Sequence, residues 1–457
     1  MKSSYLSKEN LIYKSTAAKD KIYIREQHGK YQRIRRSLNM LLLALFIIAP
    51  LLKYKGMQAI YFDLQQQQFH LFSVTLFPQD LLLVCFILVI AAFLLFYATK
   101  FFGRIWCGFT CPQTVWMLMF NWVERRVEGS HNHSKSLDLE KLSATKVVKK
   151  TIKHAIWMSI ALLTSLVFIS YFVPVEELYV PFFTLNASSL VTSWVLFFSL
   201  CTYINAGWIR EKMCLHMCPY ARFQSAMFDS STKLVSYDRI RGENRGKRKL
   251  SQVKEEGMGD CVDCNLCVQV CPVGIDIRNG LQYECINCGL CIDACDTTMS
   301  KFNYDKGLIA FTSEQKPKNR LRRHSIYGGF TLLAIIAMTV WLQTWKSFDV
   351  SIIRDRQALY RVNQAGHIEN TYVFKIRNKS NQSTRYKIAV EGLDNANIIG
   401  QEYVEVMPLE LKTFSLAVEV NKLLPETHND IGFKIISEDD KSSLLKNTSF
   451  YSGKGGW

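Results

Sequence analysis

Apolar residues gather into long runs separated by stretches dense in charge. Five runs, residues 38–52, 81–99, 155–173, 188–206 and 327–345, approach the roughly 20 residues that a bilayer-crossing helix needs, the first being the shortest. Tyr97, Tyr171, Trp208, Tyr327, Trp341 and Trp345 stand near their ends, where amphipathic rings suit a membrane interface. Beyond the fifth run the pattern turns to alternation. Tyr372, Phe374 and Ile376, then Tyr386, Ile388 and Val390, then Phe414, Leu416, Val418 and Val420, then Ile431, Phe433 and Ile435 occupy every second position. Polar breaks at 378–381 and 392–395 separate them, and period two over several short runs predicts an antiparallel β-sandwich. The fold class expected is a multi-domain membrane protein: an α-helical bundle of five transmembrane helices, a ferredoxin-like insert and a C-terminal β-sandwich.

Charge orients the runs. Lys21, Arg25, Lys30, Arg33, Arg35 and Arg36 precede the first; Arg125, Arg126, Lys149, Lys150 and Lys153 lie between the second and third. Arg239, Arg241, Arg245, Lys247, Arg248, Lys249, Arg320, Arg322 and Arg323 lie between the fourth and fifth, while the other loops carry almost no basic residues. The positive-inside rule then makes the N-terminus and both basic segments cytoplasmic and the C-terminal domain external. The net charge of +17 follows this alternation and is accounted for by anionic lipid, which excludes a nucleic-acid partner. The polar leader lacks a cleavage pattern, so the first run is expected to stay as an anchor. The expected domains are a cytoplasmic N-terminal segment (1–36), a four-helix membrane domain (37–240), a cytoplasmic two-cluster domain (241–320), a fifth transmembrane helix (321–347) and an external domain (348–457). Residues 130–145, including His131 and His133, and 241–259 read as solvated connectors.

Eight cysteines between 261 and 295 form two copies of C-x2-C-x2-C-x3-C. Three thiolates of one tight loop reach three corners of an iron–sulfur cube, and the fourth, carried away on the following helix, serves the neighbouring cube. This assigns cluster A to Cys261, Cys264, Cys267 and Cys295, and cluster B to Cys271, Cys285, Cys288 and Cys291. Pro272 follows the first copy, whereas Asp296 stands where proline is usual after the second. Zinc would not need the third cysteine of each loop, and disulfides would need an oxidising compartment. Two [4Fe–4S] clusters are therefore expected.

A second repeat follows the second and fourth runs: Cys107-x3-Cys111-Pro112 and Cys214-x3-Cys218-Pro219. Each leads into a stretch of bulky residues at helical spacing, Val115, Trp116, Met119 and Trp122 in one, Phe223, Met227 and Phe228 in the other. Proline favours the first turn of a helix, which places Cys111 and Cys218 at N-caps, where amides and the helix dipole favour thiolate. The four sulfurs, with Met213, Met217 and His216 nearby, suit a soft ion such as Cu(I); a reversible disulfide within each pair and simple packing are the alternatives. Cys85 and Cys201, inside two runs, read as apolar fillers.

The layout resembles the cytochrome c oxidase accessory family of CcoG/FixG type, bacterial membrane polyferredoxins. The resemblance rests on Trp106-Cys107-x3-Cys111-Pro112-Gln113-Thr114-Val115-Trp116 with Glu124-Arg125-Arg126, on Met217-Cys218-Pro219-Tyr220-Ala221-Arg222-Phe223-Gln224 with Tyr237-Asp238 and Arg241-Gly242-Glu243, and on the double cluster motif with Gly274-Ile275-Asp276-Ile277-Arg278. It implies an immunoglobulin-like C-terminal domain outside a bacterial inner membrane. It also implies a role in building cbb-type haem–copper oxidases by reducing Cu(II) to Cu(I), with copper near Cys107, Cys111, Cys214 and Cys218. The implied partners are membrane lipid, the oxidase or its copper-delivery factors, a cytoplasmic electron donor and a second copy in a homo-oligomer. Two other readings carry the same elements: a quinol-linked wire to a periplasmic reductase, and a scaffold that only docks oxidase subunits.

Overall fold

The computed structural model describes residues 21–452 apart from 55, 73, 230, 253, 314–319, 356–357, 394–395 and 422–426, with backbone alone at 225 and 320–324. Most of the expected N-terminal segment, residues 1–20, and the side chains of Arg320, Arg322 and Arg323 thus lie outside the description. The chain forms two compact units, residues 1–64 with 82–336 and residues 65–81 with 337–457.

In the first unit α1 (Lys30–Ile48) leads into the short strands β1 (Lys53–Tyr54), β2 (Met57–Gln58) and β3 (Ile60–Asp63). The chain passes through β4 (Gln68–Leu71) and β5 (Val74–Leu76), an antiparallel pair of the second unit, and enters α2 (Leu81–Phe102). There follow α3 (Ile105–Phe109), α4 (Pro112–Glu128), α5 (His131–Leu139), α6 (Ala144–Ile169), α7 (Val175–Phe183) and α8 (Ser189–Tyr203). Two π-helical segments, Ile204–Ile209 and Met213–Met217, precede α9 (Pro219–Ala226). Among the described residues five helices are long and apolar enough to cross a membrane: Lys30–Leu51, Pro78–Phe102, Ala144–Ile169, Ser189–Ile209 and Ser325–Thr344.

Several boundaries differ from the hydropathy reading, for physical reasons. The first span starts at Lys30 rather than near 38 because a carboxylate caps it: Asp293 accepts from the Tyr31 and Gln32 amides at 3.1 and 2.8 Å. The third starts at Ala144 because the Ser143 hydroxyl accepts from the Lys146 amide at 3.2 Å. Residues 130–145 are not a plain connector, since they contain α5, whose Ser134 donates to the buried Glu128 at 2.6 Å and whose Leu137 is buried. The stripe expected on α4 is also rotated. Val115, Met117, Phe120 and Val123 are buried, while Trp122 faces outward. Phe120 and Val123 form one core with Trp157 and Ala161 of α6 and Ala206.

The remainder of this unit holds the cysteine-rich domain. β6 (Leu234–Tyr237) pairs antiparallel with β7 (Ile309–Thr312), so the domain closes on a strand that precedes the expected boundary at 241. Between them lie α10 (Arg239–Gly242), α11 (Leu266–Gln269) and α12 (Leu290–Lys301), and α13 (Arg320–Thr344) follows.

The second unit is a pair of antiparallel sheets. One orders β12 (Ala396–Ile399), β14 (Leu411–Val420), β10 (Ile368–Asn378) and β8 (Phe348–Arg354), with β9 (Arg361–Val362) also on β10. The other orders β13 (Tyr403–Val406), β11 (Thr384–Glu391), β15 (His428–Ser437) and β16 (Ser443–Tyr451). The alternating residues of the sequence face a shared core containing Tyr372, Phe374, Ile376, Tyr386, Ile388 and Phe433. A buried ion pair fixes the turn before α2 to this domain: Lys379 reaches Asp80 at 2.7 Å, and Trp345 donates to the same carboxylate at 3.1 Å.

Candidate metal centre

The two cysteine loops are conformational copies. Asp263 and Asn287 have φ of 48° and 52°, and Asn265 and Gly289 have φ of 56° and 74°. Asp, Asn and Gly are the residues that tolerate the left-handed region, and two such residues per loop curl the backbone so that its sulfurs face inward. α11 and α12 start at corresponding places; α12 carries both Cys291 and Cys295, whereas α11 carries Cys267 and ends before Cys271. Arg278, only 6% exposed, ties the first loop by bonds to Asp276 (2.8 Å), Asp263 (2.6 Å) and Asn265 (2.5 Å).

Two enclosed spaces result. One of about 350 Å³ is lined by Cys261, Cys264, Cys267 and Cys295 with Tyr237 and Met299. The other, about 360 Å³, is lined by Cys271, Cys285, Cys288 and Cys291, with Cys267 at its edge. The first lining coincides with the set expected for cluster A, and the second holds the four expected for cluster B together with Cys267. Among the described residues no group of three or more His, Cys, Asp or Glu side chains is placed to hold a single metal ion. Four sulfurs around a void, too far apart for one ion, fit a cube whose irons each take one thiolate. Burial pushes the thiols of Cys267 and Cys271 up to about 12 and that of Cys285 up to about 11, so loading these sites displaces protons.

The corners sit beside this domain. Cys111 and Cys218 are the N-caps of α4 and α9, with Pro112 and Pro219 in the first turn as expected. Cys107 lies on α3 and Cys214 in a π-helical turn, and all four line one cavity with about 1600 Å³ of open space. Met213 joins them, whereas His216 and Met217 are exposed and lie outside the lining. The thiolate preference expected at the Cys111 N-cap is outweighed. Burial raises the Cys111 thiol despite the amides of Gln113 and Thr114, and burial raises Cys107 despite the Arg104 cation. Cys214 is pushed up to about 12 by burial and by the neighbouring sulfurs. Cys85 and Cys201 lie on exposed outer positions of their helices instead of filling a core.

Side chains that spacing does not reveal hold the corners together. Gln224 of α9 accepts from the Cys107 thiol at 3.2 Å and donates to Thr99 at 3.1 Å. Gln113 donates to the Asn205 and Arg210 carbonyls at 3.3 and 3.1 Å, joining the first corner to the second repeat. Gly108 abuts the second cluster loop so closely that a Cβ there would stand 2.6 Å from the Ile286 carbonyl and 2.9 Å from Cys288 Cα. Cys107 shares one apolar cluster with Cys288, Cys271 and Cys285. Two fully buried arginines flank this joint. Arg35 donates to the Gly108 carbonyl at 2.7 Å and Arg104 to the Tyr283 carbonyl at 2.7 Å.

Residues 209–314 match the 4Fe-4S dicluster domain family, and residues 338–453 match the family described as an IG-like fold at the C-terminus of FixG. Protein RdxA of Cereibacter sphaeroides is 35% identical over 403 residues, covering 82% of this chain and 83% of its own. The nitrogen fixation protein FixG of Rhizobium meliloti is 31% identical over 482 residues, covering 92% and 90%. The chain belongs to the FixG-type family. A crystal structure of a FixG-related protein from Vibrio parahaemolyticus is similar over 24% of this chain and 98% of that one, at 28% identity and a TM-score of 0.23. This FixG-type chain is thus a membrane protein with apolar helices, a 4Fe-4S dicluster domain and an Ig-like C-terminal domain.

Proposed function

We propose that this chain is a multi-pass electron carrier of the bacterial inner membrane that reduces Cu(II) to Cu(I) for assembly of a cbb-type cytochrome c oxidase. In this reading the N-terminus and dicluster domain face the cytoplasm and a reductant there, and the Ig-like domain faces the periplasm, in keeping with the distribution of Lys and Arg. Cys261, Cys264, Cys267 and Cys295 hold one cube, and Cys271, Cys285, Cys288 and Cys291 the other. Bound there, the cubes supply one-electron redox chemistry.

The chain's own residues set the spacing. Cys267 borders both cube cavities, and Cys107 and Gly108 seat the four-cysteine cavity against Cys288. That adjacency is the observation that carries the proposal, because it puts the corners within reach of the second cube's ligands. Copper is the substrate: Cu(II) takes one electron and leaves as Cu(I), the state that sulfur surroundings favour.

The test is a cupric reductase assay on anaerobically purified protein with a chemical electron donor. Cys111→Ser and Cys218→Ser should lose at least about tenfold in rate while the EPR signals of both cubes persist; full retention of copper reduction removes the corners from the path. A second reading, a quinol-linked wire, draws on the apolar side of the same cavity, where Phe46, Trp116, Phe168 and Phe198 lie. It requires that a quinol analogue reduce the cubes and that Cu(II) not reoxidise them.

A further inference from the structure

Among the described residues three cavities are walled by four or five cysteines, and two of them belong to the dicluster loops. Those two provide an internal standard. In each, the sulfurs are neighbours around one cavity: Cys295 lies near Cys267, Cys261 and Cys264, and Cys291 near Cys288, Cys285, Cys271 and Cys267. Neither set is placed to hold a single ion.

The corner cavity meets the same standard. Cys214 lies near Cys111, Cys107 and Cys218, all four line one space, and none is in a disulfide. They too fall outside any grouping that could hold one ion among the described residues. A tetrahedral thiolate site draws its sulfurs to about 2.3 Å from one centre, which this arrangement does not do. Each half of the membrane repeat contributes two sulfurs, one from an N-cap and one from the turn before it.

A second, independent observation is a charge. Arg104 is 1% exposed and lines this cavity. Its Nη1 donates to Tyr283, Nε and Nη2 are buried with no oxygen or nitrogen acceptor, and the guanidinium lies beside the Cys107 sulfur. An open guanidinium edge in an apolar setting is costly unless an anion meets it, and four neutral thiols supply none. A thiolate-ligated iron–sulfur core, which carries net negative charge, does.

We infer that Cys107, Cys111, Cys214 and Cys218 hold a third [4Fe–4S] cluster, with Arg104 as its buried counter-ion. The site is continuous with the second loop, since Cys107 packs in one apolar cluster with Cys271, Cys285 and Cys288. The inference stands whether or not Cu(II) is the acceptor.

The experiment is iron and acid-labile sulfide analysis of the full chain, purified anaerobically in detergent, with EPR spin quantitation after dithionite reduction. The wild type should hold about twelve iron and about twelve sulfide per chain, and the double variants C107S/C214S and C111S/C218S about eight of each. Arg104→Gln should keep about twelve while moving the midpoint of one EPR signal to more negative potential. Equal iron in wild type and both double variants, or about eight iron with one copper bound in the wild type, overturns the inference. Should the double variants fail to fold, the wild-type spin count decides between three reducible clusters and two. No copper assay enters, so failure of cupric reduction and failure of the third cluster are read separately.

Discussion

Glu124 lies where several basic side chains converge: Lys21 at 2.6 Å, Arg210 at 2.6 Å and Lys153 at 3.7 Å. Burial alone would push its carboxyl up, yet Arg210 and Lys21 outweigh burial and hold it down to about 2. A carboxyl lowered on folding contributes stability that is complete above its unfolded value of about 4.3 and is lost as pH falls towards the folded value. Glu124→Gln should therefore cost on the order of 3 kcal/mol at neutral pH and flatten the loss of stability between about pH 4 and pH 2, as read by thermal melts across pH. An unchanged acid limb would show that the ion cluster is not what fails there. The dicluster domain was legible because its repeat shows in the spacing of cysteines along the chain. The residues that build the ion cluster and the joint were not: Arg104 finds Tyr283 at a separation of 179 residues and Arg35 finds Gly108 at 73, distances over which no local pattern operates.

At the scale of elements, hydropathy located all five apolar helices but misplaced their ends, because caps and not hydrophobicity fix where helices begin. The Asp293 carboxylate on the Tyr31 and Gln32 amides is the clearest case. Asp293→Ala should cost about 1–2 kcal/mol and speed hydrogen exchange at those two amides, while Asp293→Asn should retain most of the protection. Equal exchange in all three proteins would remove the cap from the account. α5 was hidden for a related reason, its sequence being polar and its single buried leucine too little to make a stripe. The π-helical turns before α9 left no trace in periodicity either, although such turns often mark functional sites.

On the scale of the whole molecule, the division into membrane helices, dicluster domain and β-rich domain was readable from changes in the period of the pattern, continuous, then cysteine-spaced, then alternating. The fixing of the turn at Asp80 was not, since Asp80 and Lys379 are far apart in sequence and both nearly fully buried. Lys379→Ala should destabilise the second unit by about 3–5 kcal/mol by leaving the Asp80 carboxylate buried and unpaired, whereas replacing both residues with apolar ones should recover much of that loss. Hydrogen exchange at the strand amides of the second unit, followed against temperature, reads both variants. The Asp293 cap has a reach of its own. It stands between Cys291 and Cys295, which serve different cubes in the proposed assignment, so the carboxylate that starts the first apolar helix rides on the same twelve-residue helix as one ligand of each cube, and a shift of that helix would be felt at the membrane anchor and at both redox centres together.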